Sequence, residues 1–120
     1  MKDLNRLIAT LSVGAVLAGQ AAFAAETRNV RVEIFGMGPA VDGPAYQVVR
    51  NVLGNQFTKG AVDRIDVLGY GIEGGFAVCA TTARFAKPEA LENLIAQLKA
   101  ITPNPKTTSY RVEAVEKCER

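Results

Sequence analysis

Cys79 and Cys118 are the most reactive side chains in this sequence and its only cysteines. In an oxidising compartment an even count suits a disulfide; elsewhere it suits two free thiols. They are not arranged as Cys-x-x-Cys, so a dithiol redox centre is not expected. Histidine is absent, which removes every His-based catalytic triad and the commonest metal ligand. Three carboxylates, Asp63, Asp66 and Glu73, crowd one stretch. Asp63 and Asp66 are three apart and so point to opposite faces of a strand, where they cannot work as an acid–base pair. Thr81-Thr82 and Thr107-Thr108-Ser109 read as strand residues with no general base beside them. The inventory predicts no catalytic residue, no metal site and no cofactor.

With 14 basic and 12 acidic residues the formal charge is +2. That balance makes no electrostatic case for nucleic acid or for anionic lipid. The N-terminus carries the pattern of an export signal. Lys2 and Arg6 precede the apolar run Leu7–Leu17, and Ala22-Phe23-Ala24 is an A-x-A cleavage site. The run is shorter than the ~20 residues that a spanning helix needs. After Leu17-Ala18-Gly19 comes Gln20, so there is no thiol to lipidate. Residues 1–24 are therefore expected to be a cleaved signal peptide and residues 25–120 a single domain. The expected location is periplasmic or secreted, with no membrane attachment once the signal is removed.

The remaining chain must supply the elements that position these groups. Val30, Val32 and Ile34 alternate with Arg31 and Glu33, a half-buried strand. Gly36–Gly43 is a Gly/Pro loop. Pro44 suits a first helical residue, with Asp42 or Gly43 as cap. Ala45, Val48, Val49, Val52, Leu53 and Phe57 then recur at helical spacing up to a stop at Gly60. Ile65 and Val67 mark a second strand. Glu73-Gly74-Gly75 signals a hairpin, and Phe76, Val78, Ala80 and Thr82 line one face of a third strand. Pro88 opens a second helix with Leu91, Leu94, Ile95 and Leu98 as its stripe, ended by Pro103 and Pro105. Tyr110, Val112 and Ala114 alternate with Arg111 and Glu113 in a last strand.

This β-α-β-β-α-β order, from Val30 to about Glu116, resembles the ferredoxin-like α+β fold. The resemblance implies a four-stranded antiparallel sheet, order 4-1-3-2, with two helices on one face. It names no function, because many functions share the fold.

With Glu73-Gly74 at the centre of the hairpin, Gly71 faces Phe76, Gly69 faces Val78, Val67 faces Ala80 and Ile65 faces Thr82 on the helix side. The uncovered face then carries Leu68, Tyr70 and Ile72 beside Ala77, Cys79 and Thr81, extended by Phe35 and Val115. Arg31, Glu33, Arg111 and Glu113 form its charged end, and Arg31, Arg84 and Arg111 are expected to pair with Glu33 or Glu113 as surface ions. An open face this apolar exceeds what contact with water requires. Leu68, Tyr70, Ile72, Ala77 and Cys79 are the expected interface, for a homodimer or for another protein partner. Small ferredoxin-like domains commonly self-associate in this way, which is what the resemblance implies.

The loop offers a second role. Gly36, Met37, Gly38 and Asp42 precede a helix N-terminus and could help hold a small ligand. Gly36-Met37-Gly38-Pro39 resembles the Gly-Met start of the metal loop in heavy-metal-associated domains, but Ala40 and Val41 follow where those domains carry thiols. Gly75-Phe76-Ala77-Val78 is similar to the third strand of RNA-recognition domains, without its basic residue and second stacking aromatic. Some exported protease propeptides also resemble this fold, so inhibition of a protease in trans is a third reading. In the expected topology the two cysteine-bearing segments flank the first strand, about 9.6 Å apart. Cys118 must then curl under that strand to reach Cys79. An internal bridge, free thiols and a bridge between copies all remain open.

Overall fold

A computed structural model describes residues 27–118; the expected signal peptide lies outside them. The elements are β1 (Asn29–Gly36), α1 (Gly43–Thr58), β2 (Val62–Tyr70), β3 (Gly75–Thr82), α2 (Glu89–Lys99) and β4 (Thr108–Val115). They form one antiparallel sheet in the order β2-β3-β1-β4. This is the ferredoxin-like α+β fold.

The alternating apolar residues do what their period requires. Val30, Val32 and Ile34 of β1 and Phe76, Val78 and Ala80 of β3 are buried with Ala45, Val49 and Leu53 of α1 and Leu94 and Leu98 of α2. Fully burying one of the larger of these, a Val, Leu, Ile or Phe, stabilises the fold by about 1.5–3 kcal/mol. Two expected helix positions differ, since Val48 and Phe57 are exposed. They sit to either side of the buried stripe Ala45, Val49 and Leu53, which Tyr46 and Val52 flank on the core. Asp42 is the N-cap of α1, its Oδ1 accepting from the Ala45 N–H at 3.1 Å.

The β2–β3 hairpin departs from the expected register. Its turn is not centred on Glu73-Gly74. The Gly74 N–H donates to the Gly71 carbonyl and the Gly71 N–H to the Gly75 carbonyl, so Ile72, Glu73 and Gly74 form the loop. Gly74 takes a positive φ of 95°. This shifts the pairing by one, to Tyr70↔Phe76 and Gly69↔Ala77. A second irregularity leaves Leu68 as an extra residue between Val67↔Val78 and Gly69↔Ala77. Beyond it the shift is two residues, and Ile65 and Val67 return to the helix side as expected, opposite Ala80 and Val78. Between turn and bulge every side chain has changed face. Gly71 and Gly69 lie on the uncovered side, where a Cβ on Gly71 would come within 2.7 Å of the Phe35 ring. Tyr70 moves to the helix side of the sheet's rim.

Tyr110 ties β4 to α2. Its hydroxyl donates to the Leu98 carbonyl, which also accepts from the Ile101 N–H at 3.2 Å where α2 ends. Burial pushes the phenol up to about 12 from its ordinary 10.0. The folded state therefore holds this proton more tightly than the unfolded chain does. The resulting stability is complete below the unfolded value and is lost as pH rises through the folded one. Urea melts should show roughly 1–2 kcal/mol lost across that interval, allowing for partial exposure. Tyr110→Phe should flatten that alkaline limb, and an unchanged limb would assign it to other groups.

Candidate interaction surface

Both helices pack on one face of the sheet, and its other face defines the candidate site. Three groups of residues shape it. The first is a charged quartet on its β1/β4 half. Arg31 and Glu33 stand two apart on β1, with Arg31 Nε 2.8 Å from Glu33 Oε2. Arg111 and Glu113 stand two apart on β4, at 3.3 Å. The register sets Arg31 opposite Glu113 and Glu33 opposite Arg111, so unlike charges adjoin both along and across the strands. The expected pairs of Arg31 with Glu33 and of Arg111 with Glu113 are formed, on the β1/β4 half of the face, and Arg84 joins neither. On β2, Arg64 and Asp66 add a further pair at 3.0 Å. The β2/β3 half is thus less apolar than expected. Arg64, Asp66 and Gly69 stand where Leu68, Tyr70 and Ile72 were to dominate.

The second group is a strap. Beyond Val115 the chain crosses the end of β1, where the Asn29 side-chain amide donates to the Glu116 carbonyl at 2.8 Å. Thr81 Oγ1 donates to Asn29 Oδ1 at 2.7 Å and lies 3.7 Å from Cys118 Sγ. Cys118 then bridges to Cys79 with a Cα–Cα distance of 5.5 Å. The alternatives left open by the sequence close on the internal disulfide. Cys79 and Ala77, two of the expected interface residues, are buried; Cys79 lies under this strap and contributes its bridge.

The third group lies at the opposite end, where three segments are stitched together. Gly36 N–H donates to Gly74 O at 3.0 Å, Val41 N–H to Glu73 O at 2.9 Å and Met37 N–H to Thr107 O at 2.8 Å. The Asp42 N–H donates to Thr108 Oγ1 at 2.8 Å, and Asp42 Oδ2 accepts from the Asn104 N–H at 2.9 Å. Of the expected ligand loop, Gly36 and Asp42 are therefore spent on holding the fold. A Cβ on Gly36 would lie 2.4 Å from Glu73 O. Gly38 has open space around it, with φ 107°. Met37 is 56% exposed. On the neighbouring rim Tyr70 is 74% exposed, and Ile72, at the turn tip, is completely exposed. Leu68 is half-buried at the bulge.

Sequence reasoning placed Thr81 and Thr108 on strands but missed the contacts they, Asn29 and Asn104 make with partners far away in sequence. Their only local signal was their type, short polar side chains that readily bond backbone. Among the described residues no group of three or more His, Cys, Asp or Glu could hold a metal ion, and no helix is long and apolar enough to cross a membrane.

The fold and this surface define a ferredoxin-like domain whose C-terminal strap is pinned by a disulfide. No family model, curated protein or solved structure matches the chain.

Proposed function

We propose that the protein is an exported, non-catalytic module that binds a protein partner at the end of the sheet where the uncovered face meets the rim of Met37, Tyr70 and Ile72. The observation that carries this reading is the group Met37, Tyr70 and Ile72. These three large apolar side chains stand in water at one end of the sheet, on segments fastened together by the Gly36–Gly74 and Val41–Glu73 hydrogen bonds. Exposed apolar groups held on a stiff frame lose little entropy on docking, and such residues dominate interface energy. The disulfide supports export, because such bonds persist in oxidising compartments. Periplasm or culture medium is the proposed location.

The test is cross-linking of the purified chain in extract of its own compartment, comparing wild type with Tyr70→Asp/Ile72→Asp. Both positions are exposed, so the variant should fold and melt like wild type. We expect one cross-linked protein species to be lost. A species retained at full yield would place the partner elsewhere on the surface.

A further inference from the structure

The sheet ends in two unlike edges. β2 is irregular, with its pairing interrupted at Val62/Arg64 and at Val67/Gly69. Bulged edges of this kind resist the addition of another strand. β4 pairs with β1 without interruption from Thr108 to Val115, and within that span it holds no proline and no lysine. The Met37 N–H bond to Thr107 O fixes the alternation, because it joins residues directly opposite in the register. Ser109, Arg111 and Glu113 therefore bond to β1. Tyr110, Val112 and Ala114 turn their N–H and C=O groups outward, and among the described residues no backbone group meets them.

We infer that this edge pairs with β4 of a second copy, antiparallel and centred on Val112, to make one continuous eight-stranded sheet. The charges select that centre. Outward-facing residues must pair with outward-facing residues. A two-fold axis at Arg111 would set Arg111 against its own copy, and an axis at Glu113 would do the same for that carboxylate. An axis at Tyr110 sets Arg111 against Ser109, and one at Ala114 sets it against Lys117. With Val112 opposite Val112 of the partner subunit, Arg111 meets Glu113 of the partner subunit twice. The row across the uncovered face then reads Asp66, Cys79, Arg31 and Glu113, followed by the partner's Arg111 and the partner's Glu33, with charges alternating through the junction. This edge is separate from the Met37, Tyr70 and Ile72 group, so either proposal can fail alone.

The experiment is light scattering of the mature chain over a dilution series, for wild type, Arg111→Glu and Glu113→Arg, and for the two variants mixed. Wild type should dimerise, and more weakly as salt screens the exposed pairs. Each variant alone sets like charges opposite each other twice and should associate about tenfold more weakly or worse. The mixture restores unlike charges at both positions and should recover the dimer, which a merely structural role for either residue would not produce. A wild type that stays monomeric overturns the inference. So does a variant that dimerises like wild type, or a mixture that recovers nothing. Should either variant fail to fold, amide exchange on wild type decides. Protection at Tyr110, Val112 and Ala114 must rise with protein concentration, and exchange independent of concentration overturns the pairing.

Discussion

Gly75→Ala should bring the largest loss of stability. Gly75 opens β3 at a φ of 94°, where an L side chain is strained. Its added Cβ would stand 1.9 Å from Ile34 O, 2.8 Å from Ile34 C and 3.0 Å from Phe35 Cα. All three are backbone atoms of the central strand. None can retreat as a flexible side chain would, so relief requires prising β3 from β1. Those strands pair from Asn29 to Phe35 and hold Val30, Val32, Ile34, Phe76, Val78 and Ala80 in the core. The expected loss exceeds about 4 kcal/mol, against the roughly 5–15 kcal/mol of an ordinary domain. Gly54→Ala is the contrasting change. Gly54 lies within α1, and its Cβ would meet nothing within 4 Å. It should gain about 0.5–1 kcal/mol through helix propensity and a less flexible unfolded chain. Urea titrations followed by circular dichroism measure both. A cooperative Gly75→Ala transition within about 1 kcal/mol of wild type would show that β1 and β3 can separate at that end.

Cys118→Ser should bring the second largest loss. The bridge closes a loop with a sequence separation of 39, and chain-entropy reasoning assigns it about 4 kcal/mol. Changing Cys118 rather than Cys79 isolates that effect, because Cys79 is fully buried and its loss would also leave a cavity. A reduced Cys79 thiol packs there as a small apolar group. Under reductant, wild type and Cys118→Ser should melt together; without it they should separate. Curves that coincide in both conditions would mean that the Asn29, Thr81 and Glu116 hydrogen bonds hold the strap unaided.

Both predictions concern contacts between segments distant in sequence, and there the reading from sequence alone stopped short. Element order, a cap at Asp42 or Gly43, the α2 stripe, most of the α1 stripe and the two-helix, four-strand architecture were legible. Each follows from a period or a cap spanning a few residues. The hairpin partners were not. Glu73-Gly74 was a reasonable two-residue turn, but a three-residue loop competes with it closely. One residue of slip exchanges the two faces, and the extra Leu68 restores them only beyond the bulge. Tyr70 was therefore expected on the uncovered face and stands on the opposite side of the rim.

By itself the sequence determined the ferredoxin-like architecture and the absence of histidine chemistry, because alternation, capping and composition are local or global sums that need no coordinates. Tertiary structure decided the rest. It consumed Gly36 and Asp42 in stitching the loop, gathered the Arg31, Glu33, Arg111 and Glu113 quartet across the β1/β4 pair, and joined Cys118 to Cys79. Each of these depends on which strands are neighbours and in what register, and that is set by the whole core closing at once.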